Sequence, residues 1–227
     1  MPKPAVPTDH PLAVWPCATG GHRPAEVRAE LARRVVDDYS GPGQVVLDLV
    51  CRDGSVVDHA AASSRRAIGV VAGPCDATRG SPSTARRATE PDLRPRRGRP
   101  SADVLGDLHS RVHLAVALPS LRIARSGPTP ARPCPRGAAR LCHTAAPLLR
   151  PGGLLVVGVV GGVGTGRDAD ALTALVEAAT SAGLDYLQHV VALLVPIADG
   201  ALAPPSSGRG GRVVVHADLG VFRRPGR

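Results

Sequence analysis

The sequence predicts an α/β chain built on a mostly parallel sheet, and three observations lead there. Residues 44–64 read QVVLDLVCRDGSVVDHAAASS. An apolar run, Val45-Val46-Leu47, ends in Asp48, a loop with Cys51 and Gly54 follows, and an Ala-rich stretch comes next. That is the order of a first β-strand, a ligand loop and a first helix. Three further apolar runs, Arg66–Val71 (RAIGVV), Val112–Leu118 (VHLAVAL) and Leu154–Val160 (LLVVGVV), read as buried strands, the last apolar enough to lie at the sheet centre. Tyr186–Ile197 and Arg212–Phe222 flank a Pro/Gly/Ser turn, which suits an antiparallel pair at a sheet edge.

Composition sets the material for the core. Of 227 residues, 43% are hydrophobic, enough for one domain with a real core. Only 2% are aromatic, so Val, Leu and Ala must fill it, each burying less area than Phe or Trp. The 26 glycines and 23 prolines predict long irregular segments. The formal charge of +9 rests on arginine, since Lys3 is the only lysine. Such a balance fits an acidic partner such as DNA or RNA. Arginine, alanine, glycine and proline are equally the residues of GC-rich codons, and composition leaves the two explanations open.

Residues 1–23 read as an extended N-terminal segment, a Pro-rich tail followed by PLAVWP. Trp15, the only tryptophan, suits packing on the domain surface or stacking on a base. Residues 24–227 read as a single domain. Pro24 opens a helix at its first turn, Val27, Leu31 and Val35 form its apolar stripe, and Glu30 can pair with Arg34. Ser40-Gly41-Pro42-Gly43 ends that helix and turns the chain into the Asp48 strand.

Beyond RAIGVV, residues 72–101 lose apolar periodicity and are rich in Arg, Pro, Gly and Ser. A segment this polar cannot offset its ordering entropy by burial and is expected to be disordered, as a basic arm tracking phosphates or as a solvated insert. Pro119-Ser120-Leu121 ends VHLAVAL, and a Pro/Arg loop runs to about Arg136. Ala138, Leu141, Cys142 and Ala145 give a short helical face, and Arg150-Pro151-Gly152-Gly153 punctuates the approach to LLVVGVV. Asp168 suits an N-cap, Leu172, Leu175, Val176 and Ala179 the buried face of the helix it opens, and Gly183 the stop.

Other chemistries find little support. Residues 161–166, GGVGTG, follow a strand but lack G-x-G-x-x-G spacing, and read as a flexible connection. Cysteines 17, 51, 75, 134 and 142 contain no C-x-x-C pair, so free thiols are expected. Cys142-His143 lacks the two further ligands of a metal site. No apolar stretch reaches the length of a membrane span, MPKPAVPTDH has no apolar core, and a cytoplasmic protein is expected.

Four stretches together resemble the S-adenosylmethionine-dependent methyltransferases of the DNA-modification type from actinobacteria, which methylate amino groups of nucleic acids. PLAVWP resembles the family's Ser-Val-Trp opening, and RPAEVRAELARRVVDDYSGPGQVVLDLVCRDGS its first helix and its D-P-x-C-G-x-G-T loop. LLRPGGLLVV resembles the lead-in to the fifth strand. GLDYLQHVVALLVPIADGAL with VVVHADLGVF resembles the C-terminal strand pair, the most specific match. The resemblance implies a Rossmann-like methyltransferase fold, with a mostly parallel seven-stranded sheet and a C-terminal antiparallel strand pair. It implies S-adenosylmethionine as cofactor, held by Asp48, Cys51, Gly54 and Ser55, and DNA or RNA as partner.

Several positions depart from that pattern. Leu49 replaces the loop's proline and Arg52 its first glycine, while the acid that holds the cofactor's ribose falls at Val71. The tetrad Ser/Asn/Asp-Pro-Pro-Tyr/Phe, which binds the target amino group and stacks on the flipped base, falls at Leu118-Pro119-Ser120-Leu121. Only Pro119 matches. Asp103 or Asp107 falls near the adenine by position. The resemblance thus implies a methyltransferase lineage with its machinery eroded. A working enzyme, a non-catalytic remnant that binds nucleic acid or a partner protein, and a reading frame without selected function all remain open.

Overall fold

The computed structural model describes residues 12–18, 24–51, 53–71, 94–97, 102–118, 135–160, 170–203 and 214–226. Its strands are β1 (Leu12–Pro16), β2 (Val45–Asp48), β3 (Arg66–Val71), β4 (Arg94–Arg97), β5 (Val112–Ala117), β6 (Leu149–Val159), β7 (Asp185–Leu193) and β10 (His216–Arg223). A small hairpin, β8 (Ile197–Ala198) with β9 (Ala201–Leu202), stands apart from them. The helices are α1 (Pro24–Tyr39), α2 (Ser55–Ala62), α3 (Ala102–Leu105), α4 (Pro135–Ala145) and α5 (Asp170–Ser181). Eight strands form one sheet in the order β1-β7-β10-β6-β5-β2-β3-β4, with β10 antiparallel to both its neighbours and every other pairing parallel.

The expected parallel sheet and C-terminal antiparallel strand are both present, with three corrections. First, the expected edge pair is not at an edge. β10 lies between β6 and β7, and β1 pairs in parallel along the outside of β7. The turn chemistry around residues 204–213 signals a reversal of direction but not the position of the returning strand in the sheet. Second, part of the N-terminal segment adds an eighth strand. Third, Arg94–Arg97, inside the segment expected to be disordered, pairs with β3 from Ile68↔Arg94 to Val71↔Arg97. Composition fails there because a backbone ladder supplies hydrogen bonds that no side-chain pattern announces. The remainder of 72–101 lies outside the described residues, as do Asp168 and residues 161–166.

Helices cover both faces of the sheet. Val27, Leu31, Val35 and Val36 of α1 and Val56, Val57 and Ala60 of α2 pack with Val46, Val116, Val156, Val190, Leu219 and Val221. On the opposite face, Cys142 and Ala145 of α4 and Leu175, Ala178 and Ala179 of α5 pack with Leu47, Ala115, Leu155, Val157 and Phe222. The helical stripes expected from the spacing therefore face inward, with Leu31 and Val35 fully enclosed and Ala138, Leu141, Leu172 and Val176 partly buried. Gly183, at φ 78°, follows α5 where a stop was expected.

Trp15 takes the packing alternative. Its ring is buried, 5.9 Å from that of Tyr39, which removes it as a platform for a base. The Tyr39 hydroxyl in turn donates to Gln188 Oε1 at 2.7 Å, so α1 holds both β1 and β7 in place. Glu30 accepts from Arg34 as expected, at 2.9 Å, and also from Arg33. Those guanidinium bonds hold its carboxyl down to about 2.

Candidate functional site

In sheets of this kind ligands bind beyond the carboxyl ends of the strands, where the strand order reverses. Here that point is β2. The chain leaves it toward β3 and β4 on one side and toward β5 and β6 on the other. Asp48, the last residue of β2, stands in register with Gly69 of β3 and Val116 of β5. The loop after it is pinned to both neighbours, by Leu49 N–H donating to Val116 O at 2.8 Å and Cys51 N–H donating to Val70 O at 3.0 Å.

Asp48 is 5% exposed and its Oδ1 accepts from Val50 N–H at 3.0 Å. Burial pushes its pKa up from 3.8 to about 6, against the opposing pull of that N–H and of Arg28. The carboxylate thus tightens the turn from beneath. Gly54 caps α2 at φ 80°, a conformation a side chain would strain, and its carbonyl accepts from Asp58 N–H at 2.7 Å. Asp53 lies at the same helix start. Its Oδ1 accepts from Ser55 N–H at 3.1 Å and Ser55 Oγ at 2.9 Å, and its Oδ2 pairs with Arg28 Nε at 2.7 Å.

No sequence pattern announces the Arg28–Asp53 pair. Arg28 is buried on α1 beside Val27, at a position where the stripe alone suggests a solvated charge. The one signal was an acid two residues before a helical Ser, the spacing of an Asx turn. A carboxylate at a helix N-terminus also complements the local dipole. Loop and helix start are therefore locked to α1 by charge.

The structure brings Asp48, Cys51, Gly54 and Ser55 into one turn, but Cys51 plays a packing part. An added Cβ at Gly69 would lie 3.0 Å from its Sγ, so the thiol fills the space that glycine leaves. Burial, and then the Asp48 charge, push that thiol up to about 12, which leaves it inert as a nucleophile. Cys142 is likewise fully buried in the core and pushed up to about 11, in keeping with a packing role. Among the described residues no cluster of His, Cys, Asp or Glu could hold a metal ion.

Leu118 follows β5, two residues beyond the Val116 that pairs with Asp48, and is buried among the side chains under α1 and α2. Pro119, Ser120, Leu121 and Arg52 lie outside the described residues. Val71 is the last residue of β3, at the strand end where the ribose-binding acid was expected. Asp107 is exposed in a short 3₁₀ turn after α3, and Asp103 lies on α3 itself.

No protein family and no curated protein matches this chain by sequence. Solved structures do match it by fold, S-adenosylmethionine-dependent methyltransferases among them. A TehB-like methyltransferase from Corynebacterium glutamicum aligns with 18% identity and a TM-score of 0.52, over 85% of this chain and 86% of that one. A Methanosarcina mazei methyltransferase aligns with 13% identity and a TM-score of 0.57, over 85% and 98%. Geranyl diphosphate methyltransferase in complex with its cofactor aligns with 16% identity and a TM-score of 0.55, over 90% and 91%. The chain therefore has the Rossmann-like methyltransferase fold across most of its length.

Proposed function

We propose that this chain is an S-adenosylmethionine-binding protein of the methyltransferase class, descended from the DNA amino-methylating lineage, whose transfer chemistry has been lost. The observation behind this reading is the turn at the end of β2. Buried Asp48 holding Val50 N–H, together with left-handed Gly54 at the start of α2, keeps a ligand loop at the point where strand order reverses. Asp48 and the turn it shapes would position the ligand, with Ser55 at the helix start.

Bound there, S-adenosylmethionine would supply a methyl group on a positively charged sulfur. The chain's own residues support only part of that task. Val71 has no acceptor for the ribose hydroxyls, where an acid would give charge-assisted hydrogen bonds worth about 1.5–3 kcal/mol each. Leu118 offers no acceptor to a target amino group, and a leucine at position 121 removes base stacking worth about 1–3 kcal/mol. These losses act on separate steps, so together they reach several powers of ten in rate.

Transfer of a labelled methyl group from S-adenosylmethionine to genomic DNA tests the loss. We expect no incorporation above a control without protein. Incorporation that disappears in Asp48→Ala would restore a working enzyme. The charge of +9 favours a second reading, a remnant that binds nucleic acid without sequence preference. For that reading, affinity for duplex DNA should fall with salt at a slope of about −0.9 per neutralised phosphate. Affinity unchanged between low and physiological salt would rule it out.

A further inference from the structure

Resting on the reading of the β2 turn as the S-adenosylmethionine site, we infer that the cofactor binds there in exchange for a proton, which Asp48 releases as the ligand enters. The geometry at the strand end carries this. Asp48 is 5% exposed, and a carboxylate so enclosed ionises readily only where a cation stands against it. Among the described residues no cation pairs with it. Arg28, whose charge reaches Asp48 from α1, gives its Nε to Asp53 Oδ2 at 2.7 Å instead. What Asp48 accepts is Val50 N–H at 3.0 Å and the Cys51 thiol, both uncharged.

The groups around it set the balance. Arg28 favours the ionised carboxylate, while Asp53 and burial oppose it. The neighbouring strands stand in register with it through Gly69 of β3 and Val116 of β5, which bring no charge. Burial prevails and pushes the carboxyl up to about 6, so the empty site passes from mostly protonated at pH 5 to mostly ionised at pH 7.

A cationic ligand reverses that balance, because an opposite charge within about 4–6 Å favours the carboxylate. S-adenosylmethionine carries positive charge on its sulfonium and its amino group, and its one carboxylate leaves it a net cation. Bound beside Asp48, it supplies the counter-charge that Arg28 spends on Asp53. The carboxyl O–H then breaks, the electron pair stays on Asp48, and the proton passes to solvent. By linkage, a site that gives up a proton on binding holds its ligand more tightly as pH rises through 6.

Calorimetric titration of S-adenosylmethionine into the full chain at pH 6, in two buffers of different ionisation enthalpy, tests this. The heats should differ by about half of the difference between the two ionisation enthalpies, since about half of the empty sites carry the proton at that pH. Affinity should fall about tenfold from pH 7 to pH 5. In Asp48→Asn the heats should agree between buffers and the affinity should be flat with pH. Binding to the wild-type chain with equal heats in both buffers and equal affinity at both pH values would overturn the proposal and leave the cofactor site standing. So would a buffer-dependent heat that persists in Asp48→Asn. No binding at either pH, with the chain folded by circular dichroism, would overturn the site and the proposal together.

Discussion

Asp48 shows what one side chain contributes to this site. Its pKa in the folded protein, raised from 3.8 to about 6, means that the fold binds this proton more tightly than the unfolded chain does. The sign follows from linkage. The stabilisation is fully present below about pH 4 and is lost as pH rises through 6, with a magnitude of about 3 kcal/mol at 1.4 kcal/mol per unit. Asn at this position would still accept from Val50 N–H without ionising. Asp48→Asn should therefore gain stability relative to wild type between pH 4 and pH 7 in urea unfolding, and a gap that stays constant with pH would refute this. Asp53 makes the complementary case. Removing it in Asp53→Ala leaves the buried Arg28 guanidinium without its 2.7 Å partner and Ser55 N–H without its acceptor. Asp53 is 39% exposed, so screening reduces the cost to about 1–2 kcal/mol, measurable in the same experiment.

Among the elements, the helix stripes and the apolar strands were legible because burial writes itself into the sequence. Val27, Leu31 and Val35 could face only inward, and LLVVGVV could stand only in the interior. Edges were not legible. β4 contains three arginines and a proline, and its strand character comes from the ladder with β3 rather than from any apolar pattern. Nor could the position of β10 between β6 and β7 be read, because strand order depends on contacts distant in sequence. The site divides similarly. Asp48 and Gly54 were visible as a strand end and a turn, whereas Arg28 was hidden within a helix. β10 also holds the only phenylalanine. A Cβ at Gly220 would fall 2.7 Å from the ring of Phe222, which is fully buried. Gly220→Ala should force that ring to shift and cost about 1–3 kcal/mol by overpacking. Thermal unfolding with no loss of stability would show that the ring has room to move.

For the whole molecule, the fold is compatible with the proposed loss of transfer chemistry. The sheet, its helices on both faces and the turn at β2 form a Rossmann-like methyltransferase framework, and helix stripes and buried strands maintain that framework regardless of activity. Under the proposed function, chemistry depends on a few strand-end residues that contribute little to folding, and these are the ones that depart from the pattern the sequence resembles. Val71 ends β3 and Leu118 follows β5, and neither position needs a polar group for the sheet to form. A methyltransferase can therefore lose its acids while keeping its architecture.

Calorimetric titration of S-adenosylmethionine into the wild-type chain and into Val71→Glu tests the central claim most directly. We expect weak binding to the wild-type protein, tightened about ten- to a hundredfold when the carboxylate at the end of β3 is restored, the equivalent of one charge-assisted hydrogen bond. Equal affinity in the two proteins, or no binding to either while both remain folded, would contradict the placement of the cofactor at this strand end.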